Sequence, residues 1–230
     1  PYHSYNYILR FFNEAAIDPF VKEIWVSLYR VAANSHIVNA LMSAAKNGKK
    51  VTVFVELKAR FDEANNLRWS KKMKAAGIRI INSIPGLKVH AKIALVKREE
   101  EKKVLYYSFL ATGNFNEATS RFYTDHVLFT VNKDISEELQ QLFLYLQTRM
   151  QPGDYGKLKF QHLLVSQFNM VKQFRKKIER EISHAKAGLP AHIIIKLNNL
   201  QEREMISSLY EASNAGVKIQ LLVRSICCLD

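Results

Sequence analysis

Short apolar runs alternate with amphipathic helical stretches along almost the whole of this chain, and that alternation limits the fold more than any single motif does. Ile24 to Leu28, Val51 to Val55, Ile78 to Ile81, Val104 to Ala111 and about Asp125 to Phe129 have the length and β-branched or aromatic content of strands. Ser4 can cap a helix from Tyr5 to about Ala16, which Asp18-Pro19 breaks. Asn34 or Ser35 caps a helix through Asn47, with Ile37, Val38, Leu41, Ala44 and Ala45 as its buried stripe. A third helix runs from about Asp62 to Ala76, and a fourth from Ile135 to Thr148. Gly48 and Gly77 supply C-terminal stops. Strands alternating with helices indicate an α/β fold around a largely buried sheet. With 230 residues, 48% of them hydrophobic, the chain can bury a real core.

Gln151-Pro152-Gly153-Asp154-Tyr155-Gly156 is the best linker in the sequence and separates a first lobe, 1–155, from a second stretch, 156–230. The second stretch reads as a strand near His162 to Val165, a long basic helix to about Ala187, a strand from Ile193 to Leu197, a helix from Glu202 to Asn214 and a strand from Val217 to Val223. Trp25 to Glu56 and Ile193 to Arg224 share an order of strand, Asn-containing turn, helix, glycine and strand. Generic βαβ units look alike by chance, so duplication stays open. Both termini look cut from something longer.

Formal net charge is +13, which favours an acidic partner: nucleic acid, an anionic membrane or polyphosphate. The two cysteines, Cys227 and Cys228, are adjacent and form neither a disulfide framework nor a zinc pattern. A reduced, intracellular compartment fits best. No apolar run approaches the roughly 18 residues that span a bilayer.

The chemistry concentrates in Pro85-Gly86-Leu87-Lys88-Val89-His90-Ala91-Lys92-Ile93. Pro-Gly makes a turn, and the run after it reads as a strand. On a strand, residues i and i+2 share a face, so His90 and Lys92 project side by side. That pairing suits an anion: the imidazole attacks while the ammonium holds phosphate oxygens. The same spacing also fits a half-buried strand whose polar face meets water. Glu99-Glu100-Glu101-Lys102-Lys103 reads as a charged hairpin tip. Thr112-Gly113-Asn114-Phe115-Asn116 is a loop rich in small polar donors, in which Gly113 would let backbone approach a ligand. His184-Ala185-Lys186 repeats the tripeptide, but near the end of a helix, where i and i+2 diverge by about 200°.

Five blocks in the first lobe closely resemble the C-terminal catalytic half of the long bacterial polyphosphate kinases. They are Leu28-Tyr29-Arg30-Val31-Ala32, Val55 to Glu63, Pro85 to Lys92, Thr112 to Glu117 and Tyr123-Thr124-Asp125. Lys186-Ala187-Gly188-Leu189-Pro190, Ile195 to Leu200, and Arg224 with Ile226-Cys227-Cys228-Leu229 extend the resemblance across essentially the whole chain. It implies two phospholipase-D-like lobes, the second of which is incomplete in this chain. It also implies reversible, Mg2+-dependent transfer of the ATP γ-phosphate to polyphosphate through a phosphohistidine, with ATP/ADP as the nucleotide. His90 would be the phosphorylated nucleophile. Arg30 and Arg60 match the phosphate and Mg2+ site, Tyr123 a nucleotide contact, and Arg224 a nucleotide-binding arginine, although Ser225 stands where glycine is expected. Lys92, Asn114 and Asn116 complete the expected site. The resemblance further implies a homo-oligomer in the intact enzyme, peripheral membrane association and a cytoplasmic location at the inner membrane face, with no specific nucleic acid partner.

Two other functions compete. A phospholipase-D-like phosphodiesterase would carry Asp where Lys97 stands and Gly-Ser-x-Asn where this chain has Gly113-Asn114-Phe115-Asn116. A non-catalytic polyanion-binding module explains the charge but not the His90–Lys92 pairing. The chain alone is expected to bind polyphosphate in a salt-sensitive way without turnover.

Overall fold

The computed structural model of the chain describes residues 3–56, 63–82, 84–151, 153 and 158–229. The chain divides into two compact units, residues 1–158 and 159–230. The first is built from α1 (Asn6–Ile17), β1 (Val21–Leu28), α2 (His36–Lys46), β2 (Lys50–Val55), α3 (Glu63–Ala75), β3 (Arg79–Asn82), β4 (Lys92–Glu100), β5 (Lys103–Ala111), β6 (Val127–Thr130) and α4 (Lys133–Thr148). Its sheet runs in the order β3-β2-β1-β4-β5-β6. β1, β2 and β3 are parallel, whereas β4, β5 and β6 pair antiparallel.

Both faces of this mixed sheet are covered, which is why its central strands are apolar on both sides. Ile24, Val26, Leu28, Val51, Val53 and Val55 share a core with Ile8 and Phe12 of α1, Ile37 and Leu41 of α2, and Trp69 and Met73 of α3. Trp25 points to the other face, against Phe143 of α4, with ring centroids 6.0 Å apart. Ser35 caps α2, as the sequence indicates, by accepting from the Val38 amide, and Asn132 caps α4 by accepting from that of Ile135.

The second unit contains α5 (Met170–Lys186), β7 (His192–Leu197), α6 (Arg203–Asn214) and β8 (Lys218–Val223). β7 and β8 are parallel, and Ile178, Leu200, Leu209, Ala212 and Val217 form their core. Lys172, Arg175, Lys176, Lys177 and Arg180 all lie on exposed positions of α5, and His184 and Lys186 fall in its last turn.

Three expectations need correction. His90 is not on a strand, because β4 begins at Lys92. Side chains hold the preceding residues instead: the Ser27 hydroxyl donates to the Ala91 carbonyl (2.7 Å) and accepts from the Ile93 amide (3.2 Å), and Glu56 accepts from the Val89 amide (3.0 Å). Residues 162–165 form no strand. The Asn169 side chain captures their backbone, accepting from the Val165 amide (2.7 Å) and donating to the Leu163 carbonyl (2.9 Å), so those groups are not offered to a neighbouring strand. The charged hairpin tip is shorter than expected. Glu99, Glu100 and Lys103 pair within the strands, leaving a turn at Glu101, whose φ is 52°. Arg60 and part of the linker lie outside the described residues.

The loop after β1 is fastened along its length by α3. Asn66 donates to the Tyr29 and Glu56 carbonyls (2.8 and 3.1 Å), Asn65 to Val31 (2.7 Å), Trp69 to Ala32 (3.0 Å) and Arg68 to Ala33 (2.7 Å). Asn66 thereby ties the ends of β1 and β2 together. Asn66→Ala leaves two buried carbonyls short of a donor but also removes a buried side-chain oxygen that lacks a hydrogen bond, so we expect a net loss of about 1–2 kcal/mol. Thermal unfolding should show a fall of roughly 2–8 °C for a chain of this size. An unchanged midpoint would mean that this bridge does not stabilise the fold.

Candidate active site

Mixed topology collects polar side chains at one edge of the sheet. β1 and β2 end there, followed by Arg30 and Glu56. β4 starts there, preceded by His90, because it runs antiparallel to β1, with Val26 opposite Ala94. β5 ends there opposite Lys92, leading into Gly113 and Asn114, and β6 begins there after Tyr123 and Asp125. In open α/β sheets the carboxyl ends of the parallel strands are the usual ligand edge.

Lys92 is 4% exposed, and its ammonium lies 2.8 Å from Nδ1 and 3.1 Å from Nε2 of His90, while donating to the His90 carbonyl at 2.5 Å. His90 and Lys92 therefore converge as their spacing implies, although the backbone there is held by side chains rather than by strand pairing. Burial, then the charges of Lys92, Lys88 and Arg30, pushes the His90 imidazole down to about 4. It is thus neutral at physiological pH. Burial and Arg30 also push Lys92 down to about 8, against the opposing pull of Asp125.

Tyr29 stands at the centre of this group, and nothing in the spacing of the sequence marked it. It is 7% exposed, and its ring meets that of His90 edge-on, with centroids 4.6 Å apart and planes at 69°. The Lys92 and Lys88 ammoniums and the Arg30 guanidinium lie 5.1, 5.5 and 5.9 Å from its ring centroid. Each such contact contributes about 0.5–2 kcal/mol, the upper part of that range applying where water is excluded.

The Gly113 loop is anchored by Phe115, which is 1% exposed and packs against Phe109 (4.9 Å) and Phe12 (5.4 Å). Burial of such a ring contributes about 1.5–3 kcal/mol, enough to hold the loop against the core. A Cβ on Gly113 would overlap the Asp125 carboxylate, which is itself held by the Thr112 hydroxyl at 3.0 Å. Close approach is therefore real, and Asp125 is the group that makes it. Asn114 and Tyr123 line one cavity of about 820 Å3 together with Tyr5, Phe109, Asp125 and Phe129. The Asn114 side-chain oxygen is buried without a hydrogen bond. Asn116 is placed differently: its oxygen accepts from the Ala118 and Thr119 amides, both at 3.1 Å, and caps a short turn.

Lys97 lies five residues along β4 from Lys92, about 17 Å away at strand rise, and pairs with Glu99 (2.6 Å) and Glu23 (3.6 Å). In the second unit, Arg224 donates through Nε (3.0 Å) and Nη2 (2.9 Å) to Asn198. Ser225 is not among the non-glycine residues with positive φ, so serine there imposes no backbone strain. Among the described residues no three His, Cys, Asp or Glu side chains converge as metal ligands, and no helix is long and apolar enough to cross a membrane.

Comparison with known proteins places this arrangement. Residues 1–152 match the family described as polyphosphate kinase C-terminal domain 1, and residues 163–230 match polyphosphate kinase C-terminal domain 2. The chain belongs to the polyphosphate kinase family. It is 44% identical over 229 residues to a polyphosphate kinase of Vibrio vulnificus (strain YJ016) and 43% identical to that of Escherichia coli (strain K12). Each alignment covers 100% of this chain but only 32% and 33% of those relatives, so the chain spans about a third of their length. The crystal structure of polyphosphate kinase from Porphyromonas gingivalis superposes with a TM-score of 0.87 at 49% identity, over 100% of this chain and 38% of that one.

The tight Gly113–Asp125 contact predicts a coupled pair. Gly113→Ala should cost about 1–3 kcal/mol through overpacking, and adding Asp125→Gly should recover most of that loss. A double-mutant cycle from thermal or denaturant unfolding measures it. Additive effects would show that the two positions do not compete for the same space.

Proposed function

We propose that this chain supplies the phosphoryl-transfer site of a polyphosphate kinase, with His90 as the group that carries the phosphate. The observation that carries this reading is an imidazole in contact with a buried ammonium, with further cations gathered on the neighbouring Tyr29 ring. In the forward step a ring nitrogen of His90 forms a bond to the γ-phosphorus of ATP as the bond from that phosphorus to the ADP oxygen breaks, and ADP leaves with the electron pair. A terminal oxygen of polyphosphate then attacks the phosphohistidine, which lengthens the chain by one unit and restores the imidazole. Both steps are reversible because the bonds exchanged are similar in kind. Such transfers need positioning and charge stabilisation more than further covalent chemistry.

Lys92 would pass from the imidazole to an oxygen of the moving phosphoryl group, freeing the nucleophile as it binds the charge. Arg30 offers a planar fork that suits phosphate oxygens better than an ammonium does. Arg60 is assigned the same role by resemblance. Mg2+ would neutralise phosphate charge and would be held chiefly by phosphate oxygens, because the side chains gathered here are mostly cationic. The cavity lined by Asn114 and Tyr123 would take the nucleoside end, and Arg224, in the second unit, is assigned a nucleotide-binding role by resemblance. Relatives called polyphosphate kinase over the full length of this chain support the substrates, ATP and polyphosphate.

His90→Ala, made in the intact protein that contains this chain, should abolish acid-labile, base-stable label from γ-labelled ATP and should leave folding intact. Retained label would remove His90 as the carrier. Arg30→Lys keeps charge but loses the fork, and we expect turnover to fall by roughly tenfold or more. The pH profile of label formation has a signed expectation. His90, with its value lowered, stays unprotonated throughout pH 5.5–7.5, so that limb is flat. Lys92 loses its charge above about 8, so the rate should decline there. A rate that climbs through pH 6–7 would instead show an imidazole of ordinary basicity.

A further inference from the structure

We infer that Tyr29 is a positioning residue for the transfer, an aromatic hub that aims the His90 imidazole and holds Lys88, Lys92 and Arg30 within reach of the incoming phosphate. This rests on the phosphohistidine reading above and adds a residue to it.

Three positive side chains stand beside one imidazole; Arg30 disfavours the charge on Lys92, and Asp125 acts in the opposite sense. Flexible lysines in that position would turn toward water. Here all three cations share one ring, at 5.1, 5.5 and 5.9 Å from its centroid. The negative face of an aromatic ring attracts cations without lowering the charge that they later present to phosphate. A carboxylate in the same place would hold them more strongly but would compete with the substrate for them and would repel it.

The ring can act as a hub because it is fixed. Its side chain is buried. Its own carbonyl is held by Asn66 and the loop that follows by Asn65 and Trp69. It meets His90 edge-on, a geometry that favours one tilt of the imidazole over others. A nucleophile with one preferred tilt and cations already gathered spends less of the barrier on arranging them.

Fluorination of the ring tests this, since it drains the negative face while hardly changing shape. In the intact protein, Tyr29→Phe sets the reference, and phenylalanines bearing one, two, three and five fluorines at the same position form the series. Thermal unfolding accompanies each member. We expect the single-turnover rate of His90 labelling by γ-labelled ATP to fall stepwise, by about tenfold across the series, with the melting temperature held within a few degrees. A rate flat to within twofold, on a protein that still labels at His90, would overturn the hub and leave the phosphohistidine intact. Absence of label in the unmodified protein, or label that survives His90→Ala, would instead defeat the transfer reading and this inference with it.

Discussion

The gathering of Arg30, Lys88 and Lys92 around one imidazole is the constraint around which this site is arranged. Each cation favours the unprotonated imidazole of His90, and Arg30 together with burial disfavours the charge on Lys92. Asp125 acts in the opposite sense, and all three cations contact the Tyr29 ring. The backbone beneath these groups is held by side chains of the core and of α3. The charge is thereby kept available for a polyanion.

Sheet topology decides which residues share the site. Parallel β1 and β2 deliver Arg30 and Glu56 to one edge. The switch to antiparallel pairing at β4 brings the start of that strand, with His90 before it, to the same edge. Had β4 run parallel to β1, His90 would sit at the opposite end of the sheet. Phe115 and the Thr112–Asp125 contact then fold the Gly113 loop down beside it. Folding energy from the aromatic core is in this sense coupled to the geometry of the site.

Much of this was legible in the sequence. Period-2 and period-3.6 patterns located β1, β2, β5, α1, α2 and α4 to within a few residues, because both faces of the sheet are buried and the apolar signal is strong. The pairing of His90 with Lys92 was legible as well, although Ser27 and Glu56 enforce it where a strand ladder was expected. Polar side chains that bond to distant backbone were not legible. Asn65, Asn66 and Arg68 lie in a stretch legible only as a helix, since periodicity reports burial of apolar groups and carries no record of hydrogen bonds across 30 or more positions. Tyr29 was hidden for a related reason: it follows a strand, and a buried aromatic there reads as core.

Everything claimed for the site depends on a neutral, cation-ringed imidazole at position 90. Proton NMR titration of the seven histidines of this chain, with His90 assigned by the signal lost in His90→Gln, measures it directly. The account predicts that His90 remains unprotonated down to about 5 and titrates near 4. Titration of His90 at 6.5 or above would contradict it.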